Sequence, residues 1–136
     1  MEHTPEALEE SFDATEADSL ARKFQKELNA GLVALVLLGI LDRAEEDLYG
    51  YQIAKRLQQR GGPASLVKQG ALYPVLRTLS ASGLLASRVV PSYSGPPRRY
   101  YRITPAGRAA LVQWREIWRQ TRDLVNEFTA TGGTPP

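Results

Sequence analysis

At 136 residues, 43% hydrophobic and 24% charged, the chain has the composition of one soluble globular domain with a modest core, and two full domains would be crowded. With no cysteine and His3 as its only histidine, it lacks a disulfide framework and a zinc or haem ligand set, so neither a metal nor a cofactor is expected. A net charge of +2 hides a polarity: residues 1–18 carry seven acidic and no basic side chains, leaving residues 19–136 at +9, a balance that suits either a polyanionic partner or a solvated basic surface.

Residues 1–18 are polar, without apolar periodicity, and read as a flexible acidic arm rather than a secretory leader. From about Ser19 to Leu41 a helix is predicted, with Phe24, Leu28, Leu32 and Leu35 recurring on one side behind Arg22, Lys23 and Lys26. Beyond Ala30 it is apolar nearly all round and must be covered on several sides. The run Ala30 to Leu41 is 12 residues, too short to span a bilayer, so no membrane partner is expected and the location is read as cytoplasmic. A second helix over about 51–60 aligns Ile53, Ala54 and Leu57 and ends at Gly61-Gly62-Pro63. A third, about 69–82, puts Leu72, Val75, Leu76 and Leu79 on one face and stops at Gly83. Two strands, about 84–90 and 98–103, flank the turn-rich segment Pro91 to Pro97. Thr104-Pro105 opens a last helix that runs to about Thr129, with a hydroxyl at the N-cap and proline at the first helical position.

Three helices followed by a hairpin is the layout of a winged helix-turn-helix. The expected fold is therefore mainly α with a small β-hairpin, completed by a long C-terminal dimerisation helix. Its parts are an arm over 1–18, a winged domain over 19–104, the dimerisation helix over 105–130 and a disordered tail over 131–136. Within the third helix, Gln69, Tyr73, Arg77 and Ser80 lie opposite the leucine face, with Lys68 just before them. Gln and Arg can make paired hydrogen bonds to base edges, while Tyr and Ser hydroxyls reach phosphates. The competing reading is an ordinary amphipathic helix with a solvated polar face. Pro74 favours the first, because a structural helix has little reason to carry an interior proline. In the hairpin, strand alternation puts Arg99, Tyr101 and Ile103 on one face and Arg98, Tyr100 and Arg102 on the other. Arg98, Arg99 and Tyr100 are the candidate wing contacts to DNA. An edge hairpin kept soluble by charge is the bland alternative.

In the last helix, Leu111, Trp114, Trp118, Thr121, Val125 and Phe128 follow a heptad seam. One domain of this size cannot easily cover that seam together with the first helix. A homodimer interface is expected from Leu28, Leu32, Leu35, Leu111, Trp114, Trp118, Val125 and Phe128, with two winged domains spaced for a two-fold operator in double-stranded DNA. Trp114 and Trp118 are also candidates for a pocket that takes a flat apolar effector, against their simpler role as packing anchors.

The segments Leu37-Leu38-Gly39-Ile40-Leu41, Tyr49-Gly50-Tyr51-Gln52-Ile53, Gly70-Ala71-Leu72-Tyr73-Pro74-Val75-Leu76 and Arg98 through Gly107, in this order, resemble the PadR family of transcriptional regulators. The resemblance implies a dimeric repressor released from its operator by a small effector. It makes Tyr73 and its neighbours the major-groove readers, Arg98 and Arg99 the wing contacts, and Tyr51 and Tyr101 core positions. The acidic arm is longer than the family's usual lead, and the single C-terminal helix resembles its compact branch. A winged-helix protein-interaction module without DNA binding stays open as an alternative. An enzyme is not expected, since the chain has no Gly-rich phosphate loop and no nucleophile-base arrangement.

Overall fold

The computed structural model describes residues 13–63, 66 and 68–131. The chain divides into two compact units, residues 1–32 and 33–136. Helix α1, Ala14–Arg43, spans the boundary between them. In chain order there follow β1 (Leu48–Tyr49), α2 (Gly50–Arg60), α3 (Gln69–Ala81), β2 (Leu85–Val90), β3 (Arg98–Ile103) and α4 (Pro105–Thr129).

The first unit's described part is helical from Ala14. The expected start was Ser19, five residues later. Asp13 accounts for the difference: its carboxylate accepts a hydrogen bond from the Glu16 backbone N–H at 2.8 Å, and Glu16 sits in the first turn, where a negative charge is favoured. Residues 14–18 of the predicted arm are thus helix, while residues 1–12 and the tail from 132 lie outside the described residues. Leu20, Phe24 and Leu28 are exposed here, at 55%, 63% and 40%.

In the second unit, one core gathers apolar side chains from every element. Leu37, Leu38, Leu48, Ile53 and Leu76 are fully enclosed, joined by Leu41, Leu57, Leu72, Leu79, Leu85, Ile103 and Leu111. Each comes from the apolar face that its helix or strand period defines. An 18-residue window within α1 reaches a mean hydropathy of 1.5, a length and composition that the core helix of a soluble protein also meets, so it does not conflict with the expectation of no membrane partner. Such a window admits flanking polar residues that a strictly apolar run excludes. Burial of Val33, Leu37, Leu38 and Leu41 in the core accounts for the apolarity of its C-terminal half.

The hairpin carries a third strand. β1 pairs antiparallel with β3, with Leu48 opposite Tyr101 and Tyr49 opposite Tyr100, giving the order β1-β3-β2. Two residues show no readable period, which hides β1 in the sequence. Across the hairpin, Ser87 faces Tyr101 and Arg88 faces Tyr100. Tyr101 is 4% exposed, in keeping with a core position, whereas Tyr51 is 50% exposed and is no core residue. As the second residue of α2 it lies off the face defined by Ile53, Ala54 and Leu57.

A compact junction fixes the end of α3, the start of β2 and the start of α4. Gly83, at φ 80°, turns the chain in the left-handed region, and its N–H donates to the Ser80 carbonyl while that of Leu84 donates to Leu79, both at 3.0 Å. The Thr104 hydroxyl donates to the carbonyls of Gly83 at 2.7 Å and Leu84 at 3.0 Å, and accepts from the Gly107 N–H at 3.0 Å. Gly107 is buried against the Leu84 carbonyl. A Cβ there would overlap that oxygen and sit 2.7 Å from Ile103 Cγ1. Alanine normally stabilises a helix relative to glycine, so the sign of Gly107→Ala is diagnostic. It should lower stability by about 1–3 kcal/mol, read as a reduced midpoint in urea at unchanged slope.

Candidate nucleic-acid interface

Helix α3 presents Gln69, Tyr73 and Arg77 along one side, one turn apart, with its leucines turned into the core. Lys68 is the N-cap residue and makes no side-chain capping bond. Gln69 Nε2 donates to Tyr73 Oη at 2.6 Å. The Tyr73 ring lies over Gly50, the first residue of α2, where an added Cβ would be 2.9 Å from both Cζ and Oη. Glycine at that position therefore gives the phenol its seat. Pro74, inside α3, has no N–H to offer the Gly70 carbonyl. Gly70 itself has an ordinary backbone, and a Cβ there would meet nothing within 4 Å. Nothing within the fold calls for a glycine at this exposed position.

Ser80 is a correction. Its Oγ is buried and, among the described residues, without a hydrogen-bond partner, so its hydroxyl is not presented on the surface with Tyr73 and Arg77 as its spacing suggested. α3 packs against β2, and the burial of Ser80 shows that the polar face ends before the last turn.

The sheet sorts the wing residues onto two faces. Arg99 donates from Nη1 to Ser87 Oγ at 3.0 Å, on the same face as Tyr101. Burial raises the Tyr101 phenol above its usual range, against the opposing pull of the Arg99 and Arg77 charges. The group thus stays neutral at physiological pH, and the charges of Arg77 on the helix and Arg99 on the wing both act on it. Gln69, Tyr73, Tyr51, Arg98, Arg99 and Tyr101 contribute to one cleft of about 440 Å³ between α3 and the wing. On the opposite sheet face, Arg98 stacks 4.5 Å from the Tyr49 ring centroid and Arg88 5.2 Å from that of Tyr100. Arg88 also pairs with Asp47 at 3.0 Å. Arg98 and Arg99 therefore both border the cleft with the recognition-helix residues, the Arg98 guanidinium stacked on Tyr49, while Tyr100 packs against Tyr49 and Arg88 outside its lining. Sequence reasoning passed over Tyr93, fully exposed at the hairpin tip, and Gly50. An aromatic within a Ser-Pro-Gly turn was the available signal for the first, and no signal marked the second.

The described features of this arrangement match a known group. The profile of the transcriptional regulator PadR-like family covers residues 37–113. The chain belongs to this family. It is 38% identical over 116 residues to the Mycobacterium tuberculosis protein named Transcriptional regulator Rv3488, spanning 82% of this chain and 96% of that one. The crystal structure of a PadR family transcriptional regulator from Eggerthella lenta shares 32% identity with it, at a TM-score of 0.71, over 88% of this chain and all of the other. A transcriptional regulator from Clostridium thermocellum is 30% identical at a TM-score of 0.66, over 76% and 98% of the two chains. This PadR-like chain thus has the winged-helix fold expected from its sequence, and its family is one of regulators rather than enzymes.

On α4 of the PadR-like chain, Leu111 is buried and Trp114 half-buried against the core. Past Trp114 the helix leaves the core, and Ile117, Trp118, Leu124, Val125 and Phe128 are exposed at 60%, 37%, 57%, 51% and 79%. A shallow groove there is lined by Val112, Arg115, Glu116, Trp118, Arg119 and Arg122, with Trp114 outside that lining. Glu116 and Asp123 both pair with Arg119, at 2.6 and 3.2 Å, and the Arg119 hydrogen bond holds the Glu116 carboxyl below its usual range.

Proposed function

We propose that this PadR-like regulator is a homodimeric repressor that binds a two-fold operator in double-stranded DNA, sequence-specifically, with α3 in the major groove. Gln69 and Arg77 read base edges, while Lys68 and Arg99 hold phosphates. Arg98, which borders the same cleft as Arg99, joins it in the wing contacts, and Tyr100 meets a backbone that passes around the wing. One observation carries the reading: Gln69 and Tyr73 of the helix and Arg98 and Arg99 of the wing line one cleft, so helix and wing share one surface. A second copy covers the apolar stripes of α1 and α4, including Leu28, Leu32, Leu35, Trp118, Val125 and Phe128. Release by a small apolar or aromatic effector belongs to the same proposal, with the Trp118 side chains of the two copies as its seat. Such a role places the chain in the cytoplasm with the chromosome.

In vitro selection from a random duplex library tests the proposal, with enrichment of a two-fold site as the expected result. A library that returns no enriched duplex would favour a winged-helix protein-interaction module instead. Gly70 gives a sharper check. Gly70→Ala should raise stability by about 0.5–1 kcal/mol, as expected for an exposed helix position, yet weaken operator binding because its side chain meets the approaching DNA backbone. Unchanged binding together with raised stability would remove Gly70 from the interface.

A further inference from the structure

Tyr51 lies off the core face of α2 and is half exposed, yet it is not without partners. Its ring stacks on that of Tyr49, with centroids 6.4 Å apart and planes inclined by 21°. Each ring carries a cation. The Lys55 ammonium lies 5.6 Å from the Tyr51 centroid and donates to Tyr51 Oη at 3.4 Å, and the Arg98 guanidinium lies 4.5 Å from the Tyr49 centroid. Neither cation has a carboxylate partner among the described residues, and Asp47, just before β1, is engaged by Arg88. A ring quadrupole attracts a cation without neutralising it. Lys55 therefore keeps its full charge and two of its three hydrogens, and Arg98 keeps the donors in its guanidinium plane. Both tyrosines line the cleft between α3 and the wing, which sets Lys55 at the α2 rim of that cleft.

We propose that the Tyr49–Tyr51 pair is the platform of a phosphate-binding site, with Lys55 and Arg98 as its donors, through which α2 grips the DNA backbone beside α3 and the wing. The inference rests on reading the α3–wing surface as a DNA interface. To that interface it adds a third element and a residue, Lys55, that no spacing argument on α3 could reach. The site is assembled by the fold: Lys55 stands on α2 and Arg98 on β3, and the pairing of β1 with β3 brings the start of α2 beside the wing. Two unpaired cations on the border of one cleft favour an anion, and a duplex lying on α3 and Arg99 carries its phosphates past that border. The rings also favour positions of the two long side chains near the cleft, which reduces the rotamer freedom lost on binding.

Salt titrations of the full chain on an operator duplex and on a scrambled duplex test it. Lys55→Ala should weaken binding to both by about three- to tenfold, leave base preference unchanged, and lower the slope of log affinity against log salt by about one unit for each copy. Lys55→Arg should restore the slope, since a guanidinium also donates to phosphate. Arg60→Ala is the control. It removes the same charge from the opposite side of α2 by helical spacing, and its slope should stay at the wild-type value, because exposed charges out of contact are largely screened. Lys55 and Arg60 are both exposed, so the alanine variants should melt with wild type. A Lys55→Ala slope equal to wild type overturns the proposal. So does an equal fall for Arg60→Ala, which would make the effect one of net charge. If Arg99→Ala lowers the slope and Lys55→Ala does not, the site on α2 fails and the interface of α3 and the wing stands. If wild type binds neither duplex, the two fail together.

Discussion

Placing glutamates at Leu124 and Phe128 should convert the proposed dimer to a monomer while leaving the winged domain folded. Both side chains are more than half exposed in the single chain, so the substitutions bury no charge within it. In an interface each would place a carboxylate against an apolar partner, at a cost of several kcal/mol unless the copies separate. Operator binding should fall by about two to four orders of magnitude, since two linked reading heads gain that factor from effective concentration alone. Light scattering gives the mass, and circular dichroism checks the fold. A Leu124→Glu/Phe128→Glu protein that remains dimeric would show that the exposed stripe of α4 is not the interface.

The second large effect is expected at Arg77. Arg77→Ala should weaken operator binding by roughly 1–3 kcal/mol and relax the preference at one position in each half-site. Arg99→Ala should behave differently. Its hydrogen-bond partner is a hydroxyl, Ser87 Oγ, and a phosphate contact there carries no sequence information. Affinity should drop evenly across sequences, and the salt dependence should lose about one unit of slope for each copy that loses the contact. Titrations of specific and scrambled duplexes at several salt concentrations separate the two. An Arg77→Ala protein with an unchanged base profile would take that residue out of the readout.

The sequence made the three helices and the hairpin legible because their signals are periodic or chemically marked. Leu72, Val75, Leu76 and Leu79 declare a helical face, and Gly83 and Thr104-Pro105 declare its neighbours' limits. What stayed hidden depended on contacts between distant segments. β1 exists only because Leu48 and Tyr49 find Tyr101 and Tyr100 about 50 positions later. Ser80 shares the helical face of Gln69, Tyr73 and Arg77 by its spacing, and its burial is set by tertiary packing. The hydrogen bond between Gln69 and Tyr73 follows from a spacing of four residues, whereas the close approach of the Tyr73 ring to Gly50, on another helix, does not. Arg98 and Arg99 border one cleft although strand alternation assigns them to opposite faces, because the Arg98 guanidinium stacks on Tyr49, which lines that cleft too.

The junction at Thr104 has a consequence for the geometry of the target. One hydroxyl grips the turn after α3 and the first residues of α4 together, and Gly107 lets the two backbones meet without a spacer. The reading head and the axis of α4 are thereby cast as a single rigid piece. If α4 joins the two copies, the protein works as a calliper of fixed opening, with no compliance in its hinge. Half-sites moved apart by one base pair would also be rotated by about a tenth of a turn around the duplex, and such an instrument would refuse them.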